Sequence, residues 1–165
     1  MEKTAFFESP IGWLRVKGSE LGIRQVNRVD EKTGAVDENL PENHPVSQCL
    51  AQLAEYFSGK REKFDLKLDF GGATEFNKKV WDELLKIPFG KTVAYSDIAE
   101  RIETPKAVRA VGLANRMNPI AIIVPCHRVI GKAGELRGYF YGLDTKMLLL
   151  RLENPVRFAE QTSMF

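Results

Sequence analysis

The chain has 165 residues, of which 44% are hydrophobic and 10% aromatic, enough to bury a core as one domain or as two small ones. No stretch approaches the roughly 20 apolar residues of a membrane span, and residues 1–10 lack a basic segment followed by an apolar run, so neither a membrane partner nor export is expected, and a reducing cytoplasmic setting (nuclear in a eukaryote) is. Net charge is only +2, but residues 1–72 hold 10 basic and 12 acidic side chains while residues 73–165 hold 14 and 10.

In chain order, residues 3–27 read as short strands broken by Ser9, Pro10 and Gly18, with Trp13, Leu14 and Val16 as apolar positions. A polar loop over residues 28–45 follows. Leu50, Leu53, Ala54 and Phe57 fall at helical spacing, and Gly59 closes that helix. Residues 64–70 alternate as a strand, and Gly71–Gly72 forms the domain junction. Thr74 then caps a helix carrying Phe76, Val80, Trp81, Leu84 and Leu85. Ser96 caps a short helix with Ile98, Ala99 and Ile102, and Thr104 with Pro105 opens a third from Lys106 to about Asn115. Two short helices joined by a tight turn resemble a helix-turn-helix, and a last helical run leads from Asp144 to Leu152.

Two cysteines, Cys49 and Cys126, make no disulfide framework. With His44 and His127 they lack the paired short spacings of a zinc site, so no metal is implied. Phosphate-loop and dinucleotide fingerprints are also missing, since Gly71 and Gly72 lead into Ala73, Thr74, Glu75 and Phe76.

The run Ile123-Val124-Pro125-Cys126-His127-Arg128-Val129 sets a thiol beside an imidazole and a cation in an otherwise apolar, strand-like stretch. A thiolate is the nucleophilic form of cysteine, and a neighbouring His or Arg stabilises it. A cysteine among Ile, Val and Pro is also commonly a small buried hydrophobe, and on a strand Cys126 and His127 would point to opposite faces. They meet only if Pro125 ends the strand. Between Thr104 and Arg151 eight cations stand against two anions, which fits a polyanionic partner or a solvated surface. The helix from Lys106 offers Ala107, Ala110, Gly112 and Ala114 with Arg109 as its one large interior probe, a face suited to shape-driven contact or to close packing in a core.

Tyr95; Arg109, Ala110, Val111 and Gly112; Asn118 and Pro119; the run from Pro125 to Ile130; Gly138 and Tyr139; and Gly142 with Leu143 together resemble the O6-alkylguanine-DNA alkyltransferases. The likeness is close over residues 74–153. It is looser over residues 1–72, where Glu55, Tyr56, Phe57, Gly59 and Arg61 carry it. The resemblance implies an α/β (α+β) fold: a small ribonuclease-H-like domain over residues 1–72, then a mainly helical, winged-helix-like domain with a helix-turn-helix over residues 73–165.

It also implies repair of O6-methylguanine, and of O4-methylthymine, by irreversible transfer of the alkyl group to Cys126, with no cofactor and one turnover per chain. His127 would take the thiol proton through a water, Glu153 would orient the imidazole, and Asn118 would brace the turn. The duplex would be met without sequence preference in the minor groove by a monomer, the base would be extruded, and Arg109 would fill the vacated stack. Lys106, Ala107, Ala110 and Gly112 would contact DNA, as would Asn115, Arg116 and Arg128. Tyr95 would hydrogen-bond the guanine, with Val129, Phe140 and Tyr141 lining its pocket. The rings of Phe140 and Tyr141 depart from the smaller residues common in relatives, which predicts a narrow pocket that resists benzyl adducts. A non-catalytic alkyltransferase-like damage binder would lack a cysteine at the position of Cys126; a helix-turn-helix regulator would need a more polar recognition face; a cysteine hydrolase would need an oxyanion site.

Overall fold

A computed structural model describes residues 1–159 and divides the chain into two compact units. The first holds Met1–Gly72 together with Pro119–Ile123; the second holds Ala73–Asn118 and, of the described residues, 124–159. Among the described residues no helix is long and apolar enough to cross a membrane.

In the first unit β1 (Lys3–Ser9), β2 (Gly12–Ser19) and β3 (Gly22–Val29) form an antiparallel sheet in that order. Alternation places Ala5, Leu14, Val16 and Val26 on one face, and all four are buried. The helix α1 (Pro45–Phe57) covers that face with Val46, Cys49, Leu53 and Tyr56. Ala54, expected inside, is exposed and Leu50 only half-buried, because the helix turns its 46-49-53-56 row to the sheet. Gly18 does not break a strand. It sits inside β2 at a register irregularity beside Lys17.

The strand expected over residues 64–70 is an extended segment with one parallel bridge, Leu68 to Ile23. Its polar groups find other partners: the Gln52 amide takes both the N–H and the carbonyl of Asp65, at 2.8 and 2.9 Å. Gly22 allows this approach, since a Cβ there would come within 2.7 Å of the Lys67 carbonyl oxygen. On the same edge the Val26 N–H reaches the Pro119 carbonyl, and the Ala121 N–H reaches Val26, which is why residues 119–123 join this unit. Ile122 there holds φ 73°, rare for a β-branched side chain, in a three-residue turn closed by the Ile123 N–H on Ala121.

The second unit begins with α2 (Glu75–Leu84), whose first turn is capped by the Thr74 hydroxyl, accepting the Asn77 N–H at 3.1 Å. Then come β4 (Val93–Ala94), α3 (Tyr95–Arg101), α4 (Val108–Arg116), the tight turn Cys126–Arg128, β5 (Val129–Ile130), α5 (Leu143–Glu153) and α6 (Pro155–Phe158). β4 and β5 pair in parallel.

Two helix starts differ from the sequence reading. Ala94, not Ser96, precedes α3, and its N–H is held by the Asp97 carboxylate at 2.8 Å. The Thr104 hydroxyl donates to the Ile102 carbonyl, and α4 starts only at Val108, leaving Lys106 and Ala107 in the turn before it. The Trp81 indole N–H donates to the Ala114 carbonyl at 2.9 Å and ties α4 to α2. Ile130, Leu136, Met147, Leu150 and Phe158 form a core cluster on the inner face of α5.

Candidate active site

Pro125 decides how Cys126 is presented. With φ −82° and ψ 65° it centres a three-residue turn closed by the Cys126 N–H on the Val124 carbonyl at 2.8 Å, and the Arg128 N–H then reaches the Pro125 carbonyl at 3.0 Å. The strand-like run expected here is therefore a double turn, and only Val129 and Ile130 are strand. The opposite-faces constraint on Cys126 and His127 falls away. Cys126 is 5% exposed and His127 wholly buried.

Glu153, the last residue of α5, stands behind the turn. Its Oε2 lies 2.7 Å from His127 Nε2. Arg128 donates to the same carboxylate through Nε and Nη2, at 2.7 and 3.0 Å, and through Nη1 to the Ile87 carbonyl at 2.6 Å. Burial pushes the Glu153 carboxyl up, but the His127 and Arg128 charges outweigh it and hold the group well below the usual carboxylate range. Glu153 is thus ionised and commits His127 Nε2 to itself. His127 Nδ1 is buried and makes no hydrogen bond among the described residues.

Burial pushes the Cys126 thiol up as well, against the Asn118 side chain, the Lys146 charge and the N–H groups of Cys126 and His127, which favour the thiolate. The resting thiol is protonated and set among groups that stabilise its anion. Asn118 also donates to the Val124 carbonyl at 2.8 Å, bracing the turn from α4's trailing end. Tyr95, the first residue of α3, donates its hydroxyl to the Arg137 carbonyl at 3.0 Å; burial and the Cys126 charge push its pKa up to about 12.

Lys146 was read from sequence only as one cation in a basic region. It is fully buried, donating to the Val129 carbonyl at 2.6 Å and the Arg137 carbonyl at 2.8 Å, with the Tyr95 ring centroid 5.8 Å away. Burial lowers its pKa to about 8, a fall that the Cys126 charge opposes. The usable signal was its spacing: Lys146 lies seven residues before Glu153 on α5, and i and i+7 share a helix face.

Lys106, Arg109, Ala110 and Arg116 are exposed, and Ala107 and Gly112 half-buried. Two residues expected at a DNA surface are not on the surface. Asn115 is 2% exposed and donates to the Cys126 carbonyl at 3.2 Å, because it falls on the inner face of α4 with Val111 and Ala114. Arg128 is buried and neutralised by Glu153. Val129 is buried; Phe140 is 64% exposed, so its ring does not fill the interior. Tyr141 is the half-buried ring of the pair, edge-on to Phe140 at 5.2 Å and to Tyr139 at 5.7 Å.

Fold and site define a two-unit α/β protein whose mainly helical second unit holds a buried cysteine, on a tight turn after α4, backed by an imidazole–carboxylate pair. Residues 75–155 match the family model described as 6-O-methylguanine DNA methyltransferase, DNA binding domain, and residues 3–70 match its ribonuclease-like domain. A methylated-DNA–protein-cysteine methyltransferase of Methanosarcina acetivorans is 51% identical over 90% of this chain and 96% of its own length. The solved Mycobacterium tuberculosis O6-methylguanine methyltransferase superposes with TM-score 0.82 at 42% identity, over 94% of each chain. Mycobacterium tuberculosis OGT in complex with DNA superposes with TM-score 0.80 at 43% identity, over 93% of this chain and 92% of that one. The chain belongs to the 6-O-methylguanine DNA methyltransferase family.

Proposed function

We propose that this chain is a direct-reversal DNA repair protein that moves the alkyl group of O6-alkylguanine in duplex DNA onto its own Cys126. The observation that carries the assignment is the buried arrangement of Cys126, His127 and Glu153, with Nε2 of the imidazole fixed on an ionised carboxylate 2.7 Å away and Nδ1 left over. Nδ1 is the atom that takes the thiol proton, through a water. The sulfur then attacks the alkyl carbon; an S–C bond forms, the C–O6 bond breaks, and the electron pair leaves on the guanine. The thiol proton, held on His127, ends on that base.

Because the thiol is buried, the modified nucleotide must leave the stack. Arg109, exposed near the start of α4, takes its place, and Tyr95 exchanges its bond to Arg137 for one to the extruded guanine. Entry is from the minor groove, without sequence preference, by one chain acting alone. The thioether has no hydrolytic way back, so each chain acts once; O4-methylthymine is a second substrate of the same chemistry.

Intact-mass analysis after mixing with duplex DNA containing O6-methylguanine tests this. One methyl equivalent on Cys126 is expected, none in Cys126→Ala, and label on Cys49 or no label at all would overturn the assignment.

A further inference from the structure

Two asparagine amides reach the Cys126 turn from α4 and the residues just past it, one on each side of the nucleophile. Asn118 holds the Val124 carbonyl ahead of it. Asn115 holds the turn behind it. Asn115 lies on the inner face of α4 with Val111 and Ala114, a row otherwise apolar, and is 2% exposed. Its Oδ1 is buried and makes no hydrogen bond among the described residues, so the amide costs the fold free energy that an apolar side chain there would not. What the amide does provide is a bond from Nδ2 to the Cys126 carbonyl, at 3.2 Å.

That carbonyl belongs to the peptide that joins nucleophile to base. It also accepts the Val129 N–H, so both of its lone pairs are engaged. A trans peptide is planar with its C=O and N–H pointing opposite ways, and fixing the carbonyl therefore fixes where the His127 N–H points. The His127 N–H is one of the groups that favour the Cys126 thiolate. Donors on the carbonyl polarise the peptide as well, which strengthens that N–H as a donor. Asn115 thus stands at one end of a short chain, amide to carbonyl and N–H to sulfur, with the nucleophile at the other.

We propose that Asn115 is a positioning residue for alkyl transfer, which holds the Cys126–His127 peptide with its N–H turned on the sulfur and so favours the thiolate that attacks the alkyl carbon. This deepens the repair reading and rests on Cys126 being the acceptor. Asn115 neither gives nor takes a proton; the thiol proton goes to His127. The other groups facing the sulfur are Lys146 of α5, whose charge favours the anion, Tyr95 of α3, Asn118, and His127 with Glu153 and Arg128 behind it. The buried side chains of α2 are Val80, Trp81 and Leu84, none of which titrates. All of these stay when Asn115 is changed.

The test compares the full chain with its Asn115→Leu variant from roughly pH 6 to the alkaline limit of folding, across the ordinary thiol range. Two rates that report the thiolate are followed: single-turnover methyl transfer from a duplex carrying O6-methylguanine, and alkylation of Cys126 by iodoacetamide without DNA, located by peptide mass. Both profiles should move to higher pH by about one unit, so that each rate falls about tenfold below the midpoint and recovers as pH rises through it. Asn115→Ala removes the same amide without adding bulk; it should behave alike, and it carries the test if the leucine variant does not fold. Val111→Ala, a neighbour on the same face with no polar atom to offer the turn, is the control: it should melt lower and keep the parental profile.

Profiles of the Asn115 variants that superpose on the parent's would overturn the proposal. So would a loss by the same factor at every pH, the mark of lost packing alone. Methyl transfer by the unaltered chain is scored separately: if Cys126 is methylated but the profiles do not move, only the role of Asn115 fails, and if Cys126 gains no methyl, the repair assignment fails and takes this role with it.

Discussion

Removing the Glu153 carboxylate leaves Arg128 buried beside Phe89 with one carbonyl, that of Ile87, as its partner. An uncompensated buried charge costs far more than the intact pair contributes, so Glu153→Ala should lower unfolding stability by about 3–5 kcal/mol, read by urea denaturation. An unchanged midpoint would mean that Arg128 finds water or another partner. The folded-state pKa of Glu153 is depressed, so its contribution is present above the unfolded value near 4.5 and is lost as pH falls below it. Lys146 behaves in the opposite sense. Its folded pKa, about 8, lies below the ordinary 10.5, so between those values the unfolded chain binds more protons and stability rises with pH. Between pH 7 and 8.5 this group should add about 1 kcal/mol, and Lys146→Met should remove that increment. Urea midpoints of the two proteins at both pH values decide it; parallel pH dependence would place the ammonium's proton elsewhere.

Each element was legible to the extent that its signals are local. The Thr74 cap and the apolar row of α2 lie within one helix, and both were read from the residues. The start of α4 was misread because a threonine before a proline says nothing of which carbonyl its hydroxyl meets; here Ile102 takes it. The turn at Cys126 was legible as a demand on Pro125, but its form depends on Asn115 of α4 and Asn118 just past it reaching in, a contact no spacing reveals. The segment 131–142 between β5 and α5 carries its own prediction. Phe140 faces solvent, and we propose that the half-buried Tyr141 is the ring that restricts an O6 substituent. The protein should therefore react with benzylated guanine more slowly than with methylated guanine, and Tyr141→Gly should narrow the gap at least tenfold while Phe140→Gly changes it little. Single-turnover rates on duplexes carrying each adduct decide it, and equal rates in the unaltered chain would remove Tyr141 from the pocket.

At the scale of the molecule, what escaped the sequence is long-range. Residues 119–123 join the first unit through hydrogen bonds to Val26, more than ninety positions earlier, which no local pattern records. Charge shows the same limit, since counting cations between Thr104 and Arg151 treats all eight as surface. Arg128 and Lys146 are buried and satisfied inside the second unit, and Arg151 is half-buried with its Nε on the Phe158 carbonyl. Lys106, Arg109, Arg116, Lys132 and Arg137 remain exposed. Each phosphate neutralised on a duplex contributes about −0.9 to the slope of log K against log salt. If this face supplies the whole interface, the slope should be no steeper than about −4.5, whereas the full set of eight would give about −7. Fluorescence-anisotropy titrations between 50 and 300 mM salt, roughly the range in which counterion release dominates, separate the two values. A slope near −7 would require cations from elsewhere in the chain to reach the phosphate backbone.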